Sequence, residues 1–388
     1  MALRCLFVVQ GEGRGHLTQA MALRGLLCEA GHEVTGVVVG KSRGRRIPSF
    51  FHDAFAGPVR TVASPGFVSD AANQSVRPWA TLGRELCRVP QFWRSLTTLR
   101  TLIDRHDPDV VINFFEPLGG LYALRYRTTV PVVAVGHQYM FLHEAYRFPE
   151  GRSVERWGTC AFARLTAYGA ARCLALSLYP VREGGNSARL RVLPPLLRGA
   201  VLEQPRGAPE PFFLVYILNR GYAEAVIHWH EQNPTVPLHC FWDRPDAAPT
   251  EAYDDTLTFH QLHDRTFLAL MARCRGLVST AGFESIAEAM YLDTPVQVVP
   301  VEGHYEQFCN AVDAVRAGAG VRSSGFDMDR LRRALPREGA VGERFRAWVR
   351  RARHRFVHEI EAVAAQRGEA ASASVSVANP DVLERPEG

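Results

Sequence analysis

The chain has 388 residues, 47% hydrophobic and 22% charged, a balance that excludes a fibrous or wholly disordered protein and leaves room for two medium domains. Its net charge of +5 suits anionic surfaces or phosphorylated substrates, but it is too weak and dispersed for a nucleic-acid partner. No apolar run has the length of a membrane span, no signal peptide is evident, and the 8 cysteines lack regular spacing, so a cytoplasmic protein with reduced thiols is expected.

In chain order, Leu3–Val9 reads as a buried strand that breaks at Gln10-Gly11-Glu12-Gly13-Arg14-Gly15-His16. A helical pattern follows through Ala20, Leu23, Leu26 and Leu27, and Val34–Val39 is a second strand. This βαβ unit predicts a doubly wound α/β sheet. A dinucleotide fold would require a third glycine where His16 stands and a carboxylate after the second strand, where Gly40-Lys41-Ser42-Arg43 stands. NAD is therefore disfavoured, with NADP through Lys41 and Arg43 a poor second. The stretch from Val76-Arg77-Pro78-Trp79 through Arg84, Arg88, Phe92-Trp93-Arg94 and Arg100 mixes basic and aromatic residues. It reads either as a membrane-surface element or as a solvated arginine face over an aromatic core.

Pro108–Glu116 is a further strand ending in a carboxylate, and Val130–Val135 another ending in Gly136-His137-Gln138. A polar, helical region is expected through Ala175, and Val192–Arg198 closes a first domain. Gln204–Pro211, rich in Pro and Gly, is the linker. The second domain opens with a strand, Phe212–Leu218, ending at Asn219-Arg220-Gly221, and continues with strands at 238–242 and 257–262. Residues 341–365 form an arginine-rich helix, and 366–388 a disordered tail.

The densest pattern lies between Gly276 and Ala311. An apolar run leads into the small-residue turn Ser279-Thr280-Ala281-Gly282, then a helix opens with Phe283-Glu284-Ser285 and carries Glu288. A strand follows Asp293-Thr294-Pro295, and a further helix opens near His304 with Glu306, Gln307 and Asn310-Ala311. Small residues before a helix start let a ligand approach free N–H groups and a partial positive charge, which suits a diphosphate.

This ordered series resembles the nucleotide-sugar site of inverting GT-B glycosyltransferases, the group of UDP-glycosyltransferases and of cell-wall and glycolipid enzymes. Gly15-His16-Leu17-Thr18-Gln19-Ala20 is similar to their N-terminal loop. Two departures stand out: Ala281 replaces the first glycine of the usual pair, and Asp293-Thr294 replaces the usual glycine before the strand proline. The resemblance implies two Rossmann-like domains, 1–203 and 212–365, facing across a cleft. It implies His16, or a carboxylate such as Glu12 or Glu116, as base for an acceptor hydroxyl, with Glu116 orienting His16. Gly13, Arg14, Gly15 and His137 would lie on the acceptor side. Arg220 would contact donor phosphate, the Ser279–Ser285 turn would hold the diphosphate, Glu288 the ribose, and His304, Glu306 and Gln307 the sugar. No metal or resident cofactor is expected, only a nucleotide-sugar co-substrate, the implied partners being a UDP-linked donor, a lipid or small-molecule acceptor and the inner face of an anionic membrane. An epimerase of the same fold, using Glu116, Glu302 and His304, and an inactive binding subunit are the alternatives.

Overall fold

The computed structural model describes residues 2–42, 45–55, 57–65, 88–126, 129–181, 189–217, 220–242, 244, 248–334 and 340–377. Two seven-stranded sheets make up the frame. The first contains β1 (Arg4–Gln10), β2 (Glu33–Lys41), β3 (Val59–Ala63), β4 (Val110–Phe114), β5 (Val132–Gly136), β6 (Arg172–Leu176) and β7 (Leu190–Leu193). Its order is β3-β2-β1-β4-β5-β6-β7, and every pairing is parallel. Burial on both faces explains the near-continuous apolar runs of β1, β4 and β5.

The second sheet contains β8 (Glu210–Ile217), β9 (Leu238–Trp242), β10 (Thr250–Ala252), β11 (Leu257–Gln261), β12 (Cys274–Ser279), β13 (Val296–Val298) and β14 (Gly320–Arg322). Its order is β10-β11-β9-β8-β12-β13-β14, with β10 alone antiparallel to its neighbour. In each sheet the strand order reverses direction at a central strand, β1 or β8, and ligands of open α/β sheets bind outside the carboxyl ends of strands at such points.

Several elements differ from expectation. The region through Ala175 contains β6, and β3, β7, β10 and β14 are also additional; these strands span only three to five residues, too short for their periodicity to stand out. The C-terminal helix is broken in two, Ala340–Ala352 and Arg355–Val377. The second runs beyond Gln366 into the expected tail, through an alanine-rich segment of high helix propensity; residues 378–388 lie outside the described residues.

That last helix returns to the first sheet. Phe356, Ile360 and Val363 are buried, Glu359 lies 3.1 Å from Arg172 and 3.5 Å from Arg191, and Glu361 lies 3.1 Å from His32. Of the basic-aromatic stretch, the helix Val89–His106 buries Phe92, Leu96, Leu99 and Ile103, while Trp93 is 51% exposed with the Arg125 guanidinium over its ring at 5.9 Å. Residues 66–87, including Val76–Arg84, lie outside the described residues, as do Arg43 and the side chain of Arg220. Among the described residues no helix is long and apolar enough to cross a membrane.

Candidate active site

The carboxyl ends of β1, β5 and β12 open onto one cleft of about 630 Å³. From the first domain come Glu12, Gly13, Arg14, Gly15, His16 and His137; from the second come Ala281, Gly282, Phe283, Glu284, Ser285, Glu288, His304, Glu306 and Gln307. Two helix N-termini meet there, those of Arg14–Glu29 and Phe283–Leu292, and no side chain caps either first turn. Uncapped starts leave backbone N–H groups free and carry partial positive charge. An anion between them would be held from both sides.

His16 is 6% exposed and lines the cleft, packed among ring and amide neighbours. Its Nδ1 lies 3.2 Å from Gln19 Oε1, and its Nε2 lies 3.2 Å from Gln138 Nε2. Because the Gln19 oxygen only accepts and the Gln138 amide nitrogen only donates, the ring carries its proton on Nδ1 and a lone pair on Nε2. Burial, then the neighbouring His137, hold its pKa down at about 4, so the imidazole is neutral at physiological pH. Phe115 and His137 stack on either side at 5.6 and 6.3 Å, and His137 stacks on Phe283 of the other domain at 4.4 Å.

The expected His16–Glu116 pairing is not formed. Phe115 adopts a left-handed conformation (φ 55°), which presents its own ring to His16 and sends Glu116 beneath β2. There the carboxyl is 0% exposed, accepts from Ser64 Oγ and from the Leu118 N–H, and packs so closely on Gly40 that a Cβ would sit 2.2 Å from Oε2. Glu116 does not line the cleft. Burial raises its pKa to about 8, well above the 4.5 of an unfolded chain. Stability from this group is therefore complete below about pH 4.5 and is lost as pH rises through about 8. Glu116→Gln is expected to flatten the fall in Tm between pH 6 and 9, measured by thermal denaturation; an unchanged slope would show that Glu116 titrates normally.

Glu12 accepts from Ser42 N at 2.5 Å and from Ser42 Oγ at 3.0 Å, bracing the glycine loop against the end of β2. Lys41 donates to the Arg45 carbonyl at 2.8 Å and so is turned to its own loop.

On the other side, Ser279 and Thr280 lie behind the turn, buried and not on the cleft wall. Ser285 Oγ donates to Gly282 O, and Asn310 Nδ2 donates to Ala281 O, which fixes the small-residue turn from within. Glu284 Oε1 accepts from Gln19 Nε2 of the first domain at 2.7 Å, and burial raises its pKa to about 8. A carboxyl at a helix start where a phosphate docks would repel the anion if ionised; this one is held protonated. Glu288, 4% exposed, takes Arg198 Nε at 3.0 Å and Nη2 at 2.7 Å on one oxygen, while Arg198 Nη1 bonds Asp264.

Glu306 lies 3.2 Å from His137 Nε2, off the line of a hydrogen bond. Burial pushes the Glu306 carboxyl up, but His137, His304 and His16 outweigh it and hold it at about 2. Gln307 Oε1 accepts the Val301 N–H at 2.8 Å, so its oxygen is committed to the loop backbone. Leu262 and His263 reach the cleft, whereas His260 is buried 2.9 Å from His239. Among the described residues no three His, Cys, Asp or Glu side chains converge to hold a metal ion.

The sequence profile of glycosyl transferase family 1 matches residues 3–337. The chain belongs to that family. An uncharacterized glycosyltransferase of Methanosarcina acetivorans is 25% identical over 378 residues, 90% of this chain and 91% of the relative. The solved glycotransferase of kitacinnamycin superposes with a TM-score of 0.63 at 18% identity, covering 93% of this chain and 99% of that one. Spinosyn rhamnosyltransferase SpnG, complexed with thymidine diphosphate, gives 0.58 at 14% identity, covering 92% and 100%. The fold is thus GT-B, and the protein is a glycosyltransferase.

Two cleft residues, Gln19 and Arg198, and Gln138 buried behind His16 escape a reading of the sequence alone. Gln19 had a usable signal, since it follows His16 by three positions on a helix and so shares its face. Gln138 adjoins His137 but carries no pattern, and Arg198 looks like the end of a domain.

Proposed function

We propose that this glycosyltransferase inverts configuration, moving a sugar from a nucleotide diphosphate donor to a hydroxyl of a lipid or small-molecule acceptor. The carrying observation is the pair of uncapped helix starts facing one another, with the neutral His16 beside them. The acceptor O–H gives its proton to His16 Nε2, displacing Gln138. Its oxygen forms the new bond to the anomeric carbon as the bond to the diphosphate breaks, and the electron pair leaves on a phosphate oxygen. Helix-start N–H groups stabilise that charge. Glu288 holds the ribose, and His304 and Glu306 hold sugar hydroxyls. The nucleotide sugar is a co-substrate; no resident cofactor or metal is invoked.

A UDP-linked donor is preferred because Glu288 suits ribose hydroxyls; a thymidine-linked donor is the second reading, supported by the ligand of the spinosyn enzyme. Transfer is favoured over epimerisation because neither Glu116 nor Glu302 reaches the cleft wall. Contact of the first domain with the inner face of an anionic membrane rests on exposed Trp93 beside Arg125.

Calorimetry with UDP, GDP, dTDP, UDP-sugars and NADP tests the reading. Selective binding of UDP or a UDP-sugar without added metal is expected, with a matching rise in Tm. Binding of NADP alone, or of no nucleotide, would overturn it; binding of dTDP alone would transfer the donor assignment.

A further inference from the structure

A continuous set of hydrogen bonds runs from Gln138, buried behind the cleft wall, through His16 to the donor side of the cleft. Gln138 Nε2 donates to His16 Nε2, His16 Nδ1 donates to Gln19 Oε1, and Gln19 Nε2 donates to Glu284 Oε1, at 3.2, 3.2 and 2.7 Å. Gln19 is 1% exposed, and Glu284 stands 265 positions away, in the first turn of the donor-side helix of the other domain. The remaining oxygen of Glu284 is buried without a hydrogen-bond partner.

We propose that Gln19 is a positioning residue which sets the tautomer of His16 and ties it to Glu284, so that the base is correctly protonated only when the two domains are closed on each other. This rests on the reading of His16 as the acceptor base. The position requires an acceptor toward Nδ1–H and a donor toward Glu284, and a primary amide is the side chain that offers both from one carbon. A carboxylate would keep the first bond and could meet Glu284 only through that residue's own proton; an alkyl group would lose both. The amide also orients the ring without adding a negative charge next to it, in contrast to a His–carboxylate pair. When the domains separate, Gln19 loses Glu284, its amide is free to turn, and a turned amide presents N–H to Nδ1. Once the acceptor has displaced the Gln138 amide from Nε2, that reverses the tautomer and places the proton on Nε2, where the acceptor hydroxyl must deliver its own.

The test is a two-bond proton–nitrogen correlation on the full chain labelled with ¹⁵N-histidine, which needs no substrate. The His16→Asn spectrum assigns the His16 signals by their loss. The wild type is expected to show the Nδ1–H form. Gln19→Leu is expected to populate the Nε2–H form as well, and Glu284→Leu to do so to a smaller extent. In the double variant the second change adds nothing, because both break the same chain. Gln19→Glu keeps the Nδ1–H form and raises the midpoint of His16, since a facing carboxylate stabilises the imidazolium. The other groups facing that ring are His137, Gln138, Phe115 and, at longer range, Glu306.

With a donor in hand, Gln19→Leu should lower kcat about tenfold while nucleotide Kd stays within about twofold. An unchanged tautomer in Gln19→Leu, or fully additive effects with Glu284→Leu, would overturn the proposal. If Gln19→Leu does not fold, Glu284→Leu still reports the tautomer shift and Gln19→Glu the raised midpoint of His16. The two failures are separable: turnover intact in His16→Ala removes the base assignment, whereas turnover lost there with a Gln19-independent tautomer removes only the role of Gln19.

Discussion

His16→Ala is expected to lower turnover by about 10²–10⁴, measured as nucleotide diphosphate released from the donor in the presence of acceptor, with nucleotide affinity nearly unchanged. The expectation follows from where the ring sits. It lines the cleft at the start of the Arg14–Glu29 helix, carries its lone pair on Nε2, and is linked to the other domain through Gln19 and His137. Removing it takes away a proton acceptor, not a donor contact, so the loss belongs in kcat. With its pKa held at about 4, the base is neutral across the physiological range. The acid limb of the kcat/KM profile, which reports the free enzyme, should therefore lie near pH 4, with a plateau above about pH 5. A limb near pH 6.5 would point to an ordinary, solvent-exposed imidazole, and turnover unaffected by His16→Ala would retire the residue as base.

Arg198→Met is expected to have the largest effect on stability. The guanidinium joins Glu288, which is 4% exposed, to Asp264 at the start of the Asp264–Met271 helix. Burial works against the Arg198 charge, but the two carboxylates outweigh it and hold it ionised. Removing one member of a buried ion pair leaves an uncompensated charge, at about 3–5 kcal/mol. In domains of this size that corresponds to a fall in Tm of roughly 10 °C. Replacing Glu288 together with Arg198 by methionine should recover much of the loss, because no buried charge is then left unpaired. Glu288→Ala alone should cost less stability, since Arg198 keeps Asp264, yet weaken UDP binding about tenfold. A Tm unchanged in Arg198→Met would mean that solvent already screens the pair.

The pattern of the chain carried a good deal of this architecture. The βαβ start, the glycine loop ending in His16, and the Ser279–Asn310 series all occupy the ends of buried parallel strands, because a strand covered on both faces must be apolar throughout and a ligand site must lie where it stops. A doubly wound sheet was legible for that reason, whereas the family and its GT-B fold came from the resemblance of those motifs. Short strands such as β7 and β10 were not legible, since three or four residues give no period to detect.

The glutamate at 116 shows where local pattern misleads. Its place after β4 suggested a partner for His16, but side-chain direction there is set by the left-handed turn at Phe115 and by the room that Gly40 leaves beneath β2. Neither is visible in the spacing.

Composition and periodicity sufficed for the longer buried strands and the turns that end them, and the resemblance for which loops face the cleft, because burying apolar strands leaves the functional motifs at their ends. Partnership across the cleft did not follow. Gln19 meets Glu284, His137 meets Glu306 and Arg198 meets Glu288 only because two separately folded sheets dock at one angle, and docking brings together residues whose separation along the chain carries no signal.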